Sequence, residues 1–234
     1  MKQVFAVIML TISAFIPSEV KAQSDAPVVL ELFTSQSCSS CPPADKVLSE
    51  WAEQPNVIAL SCNVTYWNHL HWKDTLSREF CTQRQREYNA AFGRNGIYTP
   101  QLVINGTEQL VGSHGRKVEK EIRKASNAIK NIDLNIKGET LNIFLPELSE
   151  GKYSITLFSH GDKHTQSIPS GENRGRTVSY TSPVQDYASL GRWDGEARSV
   201  SYNVGNLDPA KGYAVLVHER NSVGAIKAAG QIKL

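Results

Sequence analysis

The sequence predicts an α/β domain with the element order β-α-β-α-β-β-α, followed by an all-β antiparallel sandwich-like domain. Between residues 23 and 130, apolar runs of strand length alternate with segments whose apolar residues recur every three or four positions, as in helices. From about residue 131, apolar and polar residues alternate in short segments that are separated by turns. We therefore expect one domain at residues 23–130 and a second at residues 131–234.

A leader precedes the first domain. Lys2 supplies a positive charge, residues 4–16 are apolar, and residues 20–22 end in a small-residue cleavage signal. The apolar stretch is too short to remain as a permanent membrane anchor. The sequence predicts that residues 1–22 are a signal peptide and that the mature protein is soluble and periplasmic or secreted, in an oxidising compartment.

The composition gives no sign of nucleic-acid binding. The formal net charge of +2 is small, and the basic residues are scattered along the chain. No run of lysine or arginine indicates a nucleic-acid-binding face. We expect a globular protein with an ordinary apolar content and no nucleic-acid partner.

The first predicted strand leads into a C-x-x-C pair. Residues 26–33 form an apolar run that is typical of a buried strand, and Cys38 and Cys41 follow it. Pro42 and Pro43 then open a segment of helical spacing, where the first turn tolerates the missing N–H groups. Because the start of a helix favours a negative charge, Cys38 is expected to be the more acidic thiol.

Three interpretations of this pair are open. Two cysteines at this spacing can form a redox-active dithiol, an inert structural disulfide, or part of a zinc or copper site. The chain contains no second C-x-x-C pair of the kind that completes a zinc ribbon. The preceding strand and the proline-led helix favour the redox-active dithiol, with Cys41 able to close a disulfide on Cys38.

The second strand and second helix follow. Residues 57–64 are continuously apolar, as in a parallel strand that is covered on both faces, so the connection predicts a right-handed βαβ unit. Residues 65–74 form a loop that is dense in aromatic side chains and histidines. Asp74 or Thr75 is expected to cap the next helix, which runs from about residue 76 to 92.

The loop contains two histidines that bear on the choice of chemistry. Trp67, His69 and His71 occupy alternate positions in the sequence, and a suitable loop conformation could bring the two histidines near Cys38. A Cys-His site for copper or zinc would then be possible. Such residues more often simply cover the end of a sheet.

The last elements of the first domain begin at a proline. Pro100, preceded by Thr99, opens the third strand, which is one of the few positions where a sheet accepts proline. An Asn-Gly turn at residues 105–106 predicts a hairpin, and Ser113 is expected to cap a final amphipathic helix. The completed order is that of a thioredoxin-like domain.

Several motifs resemble the exported bacterial proteins that are grouped as domain of unknown function 1223. The likeness runs over almost the whole mature chain. The motifs that carry it are Glu31-Leu32-Phe33-Thr34-Ser35, Cys38-Ser39-Ser40-Cys41-Pro42-Pro43-Ala44-Asp45, Tyr66-Trp67, Trp72-Lys73-Asp74, Arg84-Gln85, Tyr98-Thr99-Pro100-Gln101 and Gly171-Glu172-Asn173-Arg174-Gly175-Arg176. The resemblance implies a thioredoxin-like fold and names no activity.

Similarity to thioredoxin-like proteins implies further roles. In such proteins a cis proline at the start of the third strand faces the active-site sulfurs, and Pro100 with Thr99 matches that position. An ordinary trans proline is the alternative. Thioredoxins also keep a carboxylate near the second cysteine, so Glu31 is a candidate proton acceptor for Cys41.

The remaining cysteines form a second question. Pairing Cys38 with Cys41 leaves Cys62 with Cys81, and these lie on a predicted central strand and on the helix that could pack over it. We predict a structural disulfide between them. Two buried thiols, or a relay to the active dithiol, are the alternatives.

The second half carries few signs of chemistry. Residues 191–195 are interpreted as a tight turn with a half-buried Trp193, and the loop at residues 171–176 either binds a ligand or braces the domain interface. No nucleophile with an adjacent base is visible in this half. We expect it to have a binding or scaffolding role.

Together these features predict an exported thiol–disulfide oxidoreductase. Cys38 is the expected nucleophile and Cys41 the resolving thiol, acting on protein or small-molecule disulfides. The expected partners are disulfide-bearing or dithiol substrate proteins and a redox partner, and no cofactor is predicted. The alternative is a non-catalytic periplasmic protein that binds a metal ion or a partner on the same scaffold.

Overall fold

A computed structural model describes residues 26–207 and 211–234. The predicted signal peptide, residues 1–22, lies outside the described residues. The helices are α1 (Pro42–Trp51), α2 (Glu79–Ala91) and α3 (Gly115–Ala125). The strands are β1 (Val28–Thr34), β2 (Val57–Asn63), β3 (Gln101–Ile104), β4 (Glu108–Val111), β5 (Lys130–Asn131), β6 (Asp133–Lys137), β7 (Thr140–Leu145), β8 (Tyr153–His160), β9 (His164–Ser167), β10 (Thr177–Tyr180), β11 (Val184–Trp193), β12 (Arg198–Asn203), β13 (Gly212–Glu219) and β14 (Ile226–Lys233).

The first half of the chain builds a four-stranded sheet in the order β2-β1-β3-β4. β1 runs parallel to β2 and antiparallel to β3. Leu30 and Leu32 of β1 pack against α1 and α3, whereas Val29 and Phe33 point to the opposite face of the sheet. Both faces of the sheet are therefore covered, which agrees with the largely apolar runs in β1 and β2.

A second core lies between the four-stranded sheet and a five-stranded sheet in the order β11-β8-β13-β14-β5. Ala214 and Leu216 of β13 face this core. Tyr213, Val215 and Val217 point to the other side, where they pack against the three-stranded sheet β12-β7-β6. The five-stranded sheet is thus the middle layer between two apolar cores.

The predicted fold class, an α/β thioredoxin-like domain followed by an all-β sandwich-like domain, is wrong. The structure is mostly β, with 41% strand and 17% helix, and its strands form several small sheets. Apolar–polar alternation predicts strands with one buried face, whereas β8 and β13 are buried along nearly their whole length on both faces. A sheet that is covered on both faces is not half of a two-layer sandwich.

The structure also corrects three local predictions. α2 begins at Glu79, because Asp74 is used in the preceding turn, where its carboxylate accepts hydrogen bonds from the backbone N–H groups of Gln36 and Leu76. Ser113 does not cap α3, which begins at Gly115 with no side-chain cap. Trp193 is the last residue of β11 and is fully buried.

Cys62 and Cys81 are joined by a disulfide that links β2 to α2. Their sulfur atoms are 2.07 Å apart and their Cα atoms 5.3 Å apart. Both residues are buried in the core between the four-stranded and five-stranded sheets. Among residues 26–207 and 211–234, no helix is long and apolar enough to cross a membrane.

Candidate functional site

Cys38 and Cys41 lie in the turn between β1 and α1. Cys41 is the N-cap residue of α1, and Pro42 and Pro43 occupy its first turn, as predicted. The backbone N–H of Cys41 donates to the carbonyl of Cys38 at 3.2 Å, which closes the turn. Both cysteines are thiols in the structure, and only 2% of Cys38 and none of Cys41 is exposed.

The surroundings of Cys38 favour its thiolate. The Cys41 thiol donates a hydrogen bond to the Cys38 sulfur, and the hydroxyl groups of Ser40 and Thr99 add to this effect. Ser40 Oγ is 3.3 Å from the Cys38 sulfur. These donors outweigh the effect of burial and lower the pKa of Cys38 to about 6, so the thiolate is the main form at neutral pH.

Thr99 and Pro100 lie beside the dithiol. The Thr99-Pro100 peptide bond is cis, and Pro100 immediately precedes β3. The indole N–H of Trp67 donates to Thr99 Oγ1 at 2.8 Å. This contact leaves the single hydroxyl proton of Thr99 available for Cys38.

Cys41 is in the opposite electrostatic situation. Burial, the hydrogen bond to Cys38 and the negative charges of Cys38 and Asp45 raise the pKa of the Cys41 thiol. Of the two thiols, only Cys38 is ionised at neutral pH. The pair therefore combines a thiolate nucleophile with a neighbouring thiol that retains its proton.

Asp45 is a buried carboxyl that the sequence analysis missed. It lies one helical turn after Cys41 and is 2% exposed, and neither carboxyl oxygen has a hydrogen-bond partner among the described residues. Burial and the charges of Cys38 and Asp74 raise its pKa, although the nearby Thr34 hydroxyl opposes the shift. The i,i+4 spacing of Cys41 and Asp45, which places both on one helix face, was the available sequence signal.

Glu31 does not lie beside Cys41. The alternation of β1 turns its side chain away from α1 and toward α2, where Arg84 donates to its two carboxylate oxygens at 2.6 and 3.1 Å. Burial alone would raise the pKa of Glu31, but Arg84 outweighs burial and the pKa is lowered. Glu31 is part of a buried ion pair in the core.

The histidines of the aromatic loop stay at the surface. His69 and His71 are exposed, and His69 Nδ1 bonds to the carbonyl of Tyr66. In the part of the chain that the structure describes, no three metal-binding side chains come together.

The turn at residues 171–176 reaches the dithiol from the second half. Asn173 Nδ2 donates to the carbonyls of Gln36 and Cys38 at 2.9 and 2.8 Å. Glu172 Oε2 accepts the backbone N–H of Ser39 at 3.1 Å. The turn therefore contacts the C-x-x-C loop directly, across a sequence separation of more than 130 residues.

The pH dependence of Cys38 alkylation is the first test of this geometry. With iodoacetamide under reducing conditions, the rate should rise with pH, reach half its maximum near pH 6, and stay level above about pH 7.5, because only the thiolate reacts. Ser40→Ala should raise the midpoint by about one pH unit, since it removes a donor to the thiolate.

Ser39→Ala is the matched control, because the Ser39 hydroxyl makes no hydrogen bond within residues 26–207 and 211–234, and it should leave the midpoint unchanged. The rate at each pH is followed by peptide mass spectrometry. An alkaline midpoint for the wild-type protein would show that the surroundings do not acidify Cys38.

Comparisons with known proteins place the chain in a family. The structure matches the crystal structure of protein AGR_C_4864 from Agrobacterium tumefaciens with 31% identity and a TM-score of 0.80, covering 91% of this chain and 96% of that chain. It also matches HBP35 of Porphyromonas gingivalis at 17% identity and a TM-score of 0.58, covering 90% of this chain and 76% of that chain, a likeness in fold alone. No curated protein matches the sequence. The family model described as protein of unknown function (DUF1223) matches residues 29–218, and the chain belongs to this family.

Proposed function

We propose that this protein is a thiol–disulfide oxidoreductase. The observation that supports the proposal is a pair of adjacent thiols at the start of α1, with the Ser40 hydroxyl 3.3 Å from the Cys38 sulfur. In agreement with this geometry, the pKa is lowered for Cys38 and raised for Cys41. An inert structural disulfide has no need for a thiolate that is stabilised by Ser40 and Thr99. A nucleophile with a resolving thiol beside it is the arrangement that disulfide exchange requires.

In the first step the Cys38 thiolate attacks one sulfur of a substrate disulfide. A bond forms between Cys38 and that sulfur, the substrate S–S bond breaks, and the second substrate sulfur leaves as a thiolate that takes a proton from water. Cys38 loses its negative charge in this mixed disulfide. Two causes of the raised Cys41 pKa, the hydrogen bond to Cys38 and the charge of Cys38, disappear at the same time.

In the second step Cys41 resolves the mixed disulfide. The ionised form of Asp45, on the same helix face, accepts the Cys41 proton, and the Cys41 thiolate attacks the Cys38 sulfur. The Cys38-Cys41 disulfide forms and the bond between Cys38 and the substrate sulfur breaks. That sulfur leaves as a thiolate that takes a proton from water, and Asp45 returns its proton to water. The dithiol is oxidised by two electrons and the substrate disulfide is reduced; the reverse sequence oxidises a substrate dithiol.

The proposed location is an oxidising compartment outside the cytoplasm. Residues 1–22 act in this proposal as a signal peptide that is removed on export. The buried Cys62–Cys81 disulfide supports the location, because structural disulfides persist mainly in such compartments. Residues 23–130 supply the dithiol, and residues 131–234 supply the turn that contacts it.

A trapping experiment tests the function directly. Cys41→Ala removes the thiol that would cleave the mixed disulfide, so Cys38 adducts should accumulate on this variant when it is incubated with a disulfide. Intact-mass spectrometry should find one reductant-sensitive adduct on nearly every molecule of Cys41→Ala. The wild-type protein should give the Cys38-Cys41 disulfide and no lasting adduct.

Cys38→Ala is the matched control. It should form no adduct, because Cys41 is fully buried, and burial and the charge of Asp45 still raise the pKa of its thiol in this variant. Adducts of equal yield on both single variants would contradict the assignment of Cys38 as the attacking thiol and Cys41 as the resolving thiol. The absence of adducts on both variants would contradict the proposed function.

A further inference from the structure

A hairpin from the second half of the chain lies beside the C-x-x-C loop. Strands β9 and β10 and the residues between them, 164–180, form a hairpin that we call the arm. Ile168, Val178 and Tyr180 of the arm make a small apolar cluster with Trp72 and Leu76. This cluster seats the arm against the loop beside the dithiol.

The tip of the arm is bonded to the backbone of the C-x-x-C loop. Asn173 is 1% exposed, and its amide donates to the carbonyls of Gln36 and Cys38. Arg176 Nη1 donates to Asn173 Oδ1 at 3.0 Å, which orients the Asn173 amide. The position of Asn173 is therefore fixed from both sides.

The arm also occupies backbone groups of the C-x-x-C loop at Cys38 and Ser39. Glu172 accepts the N–H of Ser39 and Arg176 lies 3.4 Å from the carbonyl of Ser39, while Asn173 takes the carbonyl of Cys38. An extended peptide binds beside an active site by pairing with free backbone N–H and C=O groups. At Cys38 and Ser39 these groups are already paired.

We infer that the arm is a specificity-determining element that admits low-molecular-weight disulfides to Cys38 and excludes disulfides held in folded proteins. This inference rests on the proposed function. Only 2% of Cys38 is exposed, so little of the residue is accessible to a bulky substrate. A small disulfide needs little space around its sulfur atoms, whereas a folded protein carries two chain segments on each side of its disulfide.

Single-turnover kinetics test the inference. The fully reduced protein is mixed with bis(2-hydroxyethyl) disulfide or with insulin, and formation of the Cys38-Cys41 disulfide is followed by acid quenching and mass spectrometry. Each rate is divided by the rate at which free dithiothreitol reacts with the same disulfide. On this relative scale, the wild-type protein should react with the small disulfide at least about tenfold faster than with insulin. Asn173→Ala should raise the insulin rate about tenfold and leave the small-disulfide rate within about twofold.

Two further variants complete the experiment. Glu172→Ala removes an exposed contact to Ser39, and it should shift the selectivity in the same direction as Asn173→Ala. It takes the place of Asn173→Ala if circular dichroism shows that Asn173→Ala does not fold. Arg174→Ala lies in the same turn, exposed, and its side chain donates no hydrogen bond to the residues described, so it should keep wild-type selectivity.

The outcomes separate the inference from the proposed function. If the wild-type protein reacts with neither probe, the proposed function fails. If the wild-type protein reacts with both probes at equal relative rates, the arm does not determine specificity. The same conclusion follows if Asn173→Ala and Glu172→Ala keep wild-type selectivity or raise both rates together. In each of these cases the oxidoreductase function stands.

Discussion

Asp45→Asn is expected to slow resolution of the mixed disulfide by about a hundredfold or more at neutral pH, within the usual range for loss of a general base. Asn cannot accept the Cys41 proton, while its size and shape remain those of Asp. Attack by Cys38 should keep its rate, because the groups that stabilise its thiolate are Cys41, Ser40 and Thr99. The measurement is the lifetime of the Cys38 adduct after rapid mixing with a small disulfide, read by quenched mass spectrometry.

The same variant changes the pH dependence of stability. Burial raises the folded-state pKa of Asp45 above its unfolded value, so the folded chain holds a proton that the unfolded chain releases. The free energy of unfolding of the wild-type protein should fall as pH rises from about 4 through the folded-state pKa. Urea unfolding of Asp45→Asn should lack this component.

Glu50→Gln is the control for both measurements. It neutralises an exposed carboxylate on the same helix and should change neither the adduct lifetime nor the pH dependence. An unchanged adduct lifetime in Asp45→Asn would show that another group takes the Cys41 proton.

Arg84→Met is expected to lower the free energy of unfolding by about 3 to 5 kcal/mol, the usual loss when one partner of a buried ion pair is removed. Arg84 is 7% exposed and bonds to both oxygens of Glu31 and to the carbonyl of Ser222 at 2.6 Å. Its removal leaves the Glu31 carboxylate buried with Tyr88 and without a positive partner. Urea unfolding at pH 7 measures the loss.

A double variant and a surface variant control this prediction. Glu31→Gln combined with Arg84→Met should recover part of the loss, because no uncompensated charge stays in the core. Lys227→Met breaks an exposed ion pair with Glu219 and should cost less than about 1 kcal/mol. A loss below 1 kcal/mol in Arg84→Met would mean that the buried pair contributes little to the folded state.

Local sequence patterns identified the dithiol and its helix. The apolar run before Cys38 and the two prolines after Cys41 act over a few residues, so their effect on backbone structure is visible without the rest of the chain. Thr99 and Pro100 were found through similarity to a known arrangement. The family resemblance is confirmed over residues 29–218.

Other features depend on distant residues. Asn173 meets Cys38 across 135 positions, and no periodicity connects them. Glu31 is one residue away from the positions that face α1, and strand alternation sends it to the other side of the sheet. Strands such as β12, with alternating serines, and β14, with alanine and glycine, carry too few large apolar side chains to be visible as strands.

The core shared by the two halves has a consequence for biosynthesis. Phe33, Leu60 and Val103 are made early, but they pack against Ala214 and Leu216 of β13. At common ribosomal rates of 5 to 20 residues per second, the roughly one hundred residues between β3 and β13 take about 5 to 20 s to make. During that interval the newly made first half has an uncovered apolar face, so the growing chain is exposed to aggregation until its last strands have been made.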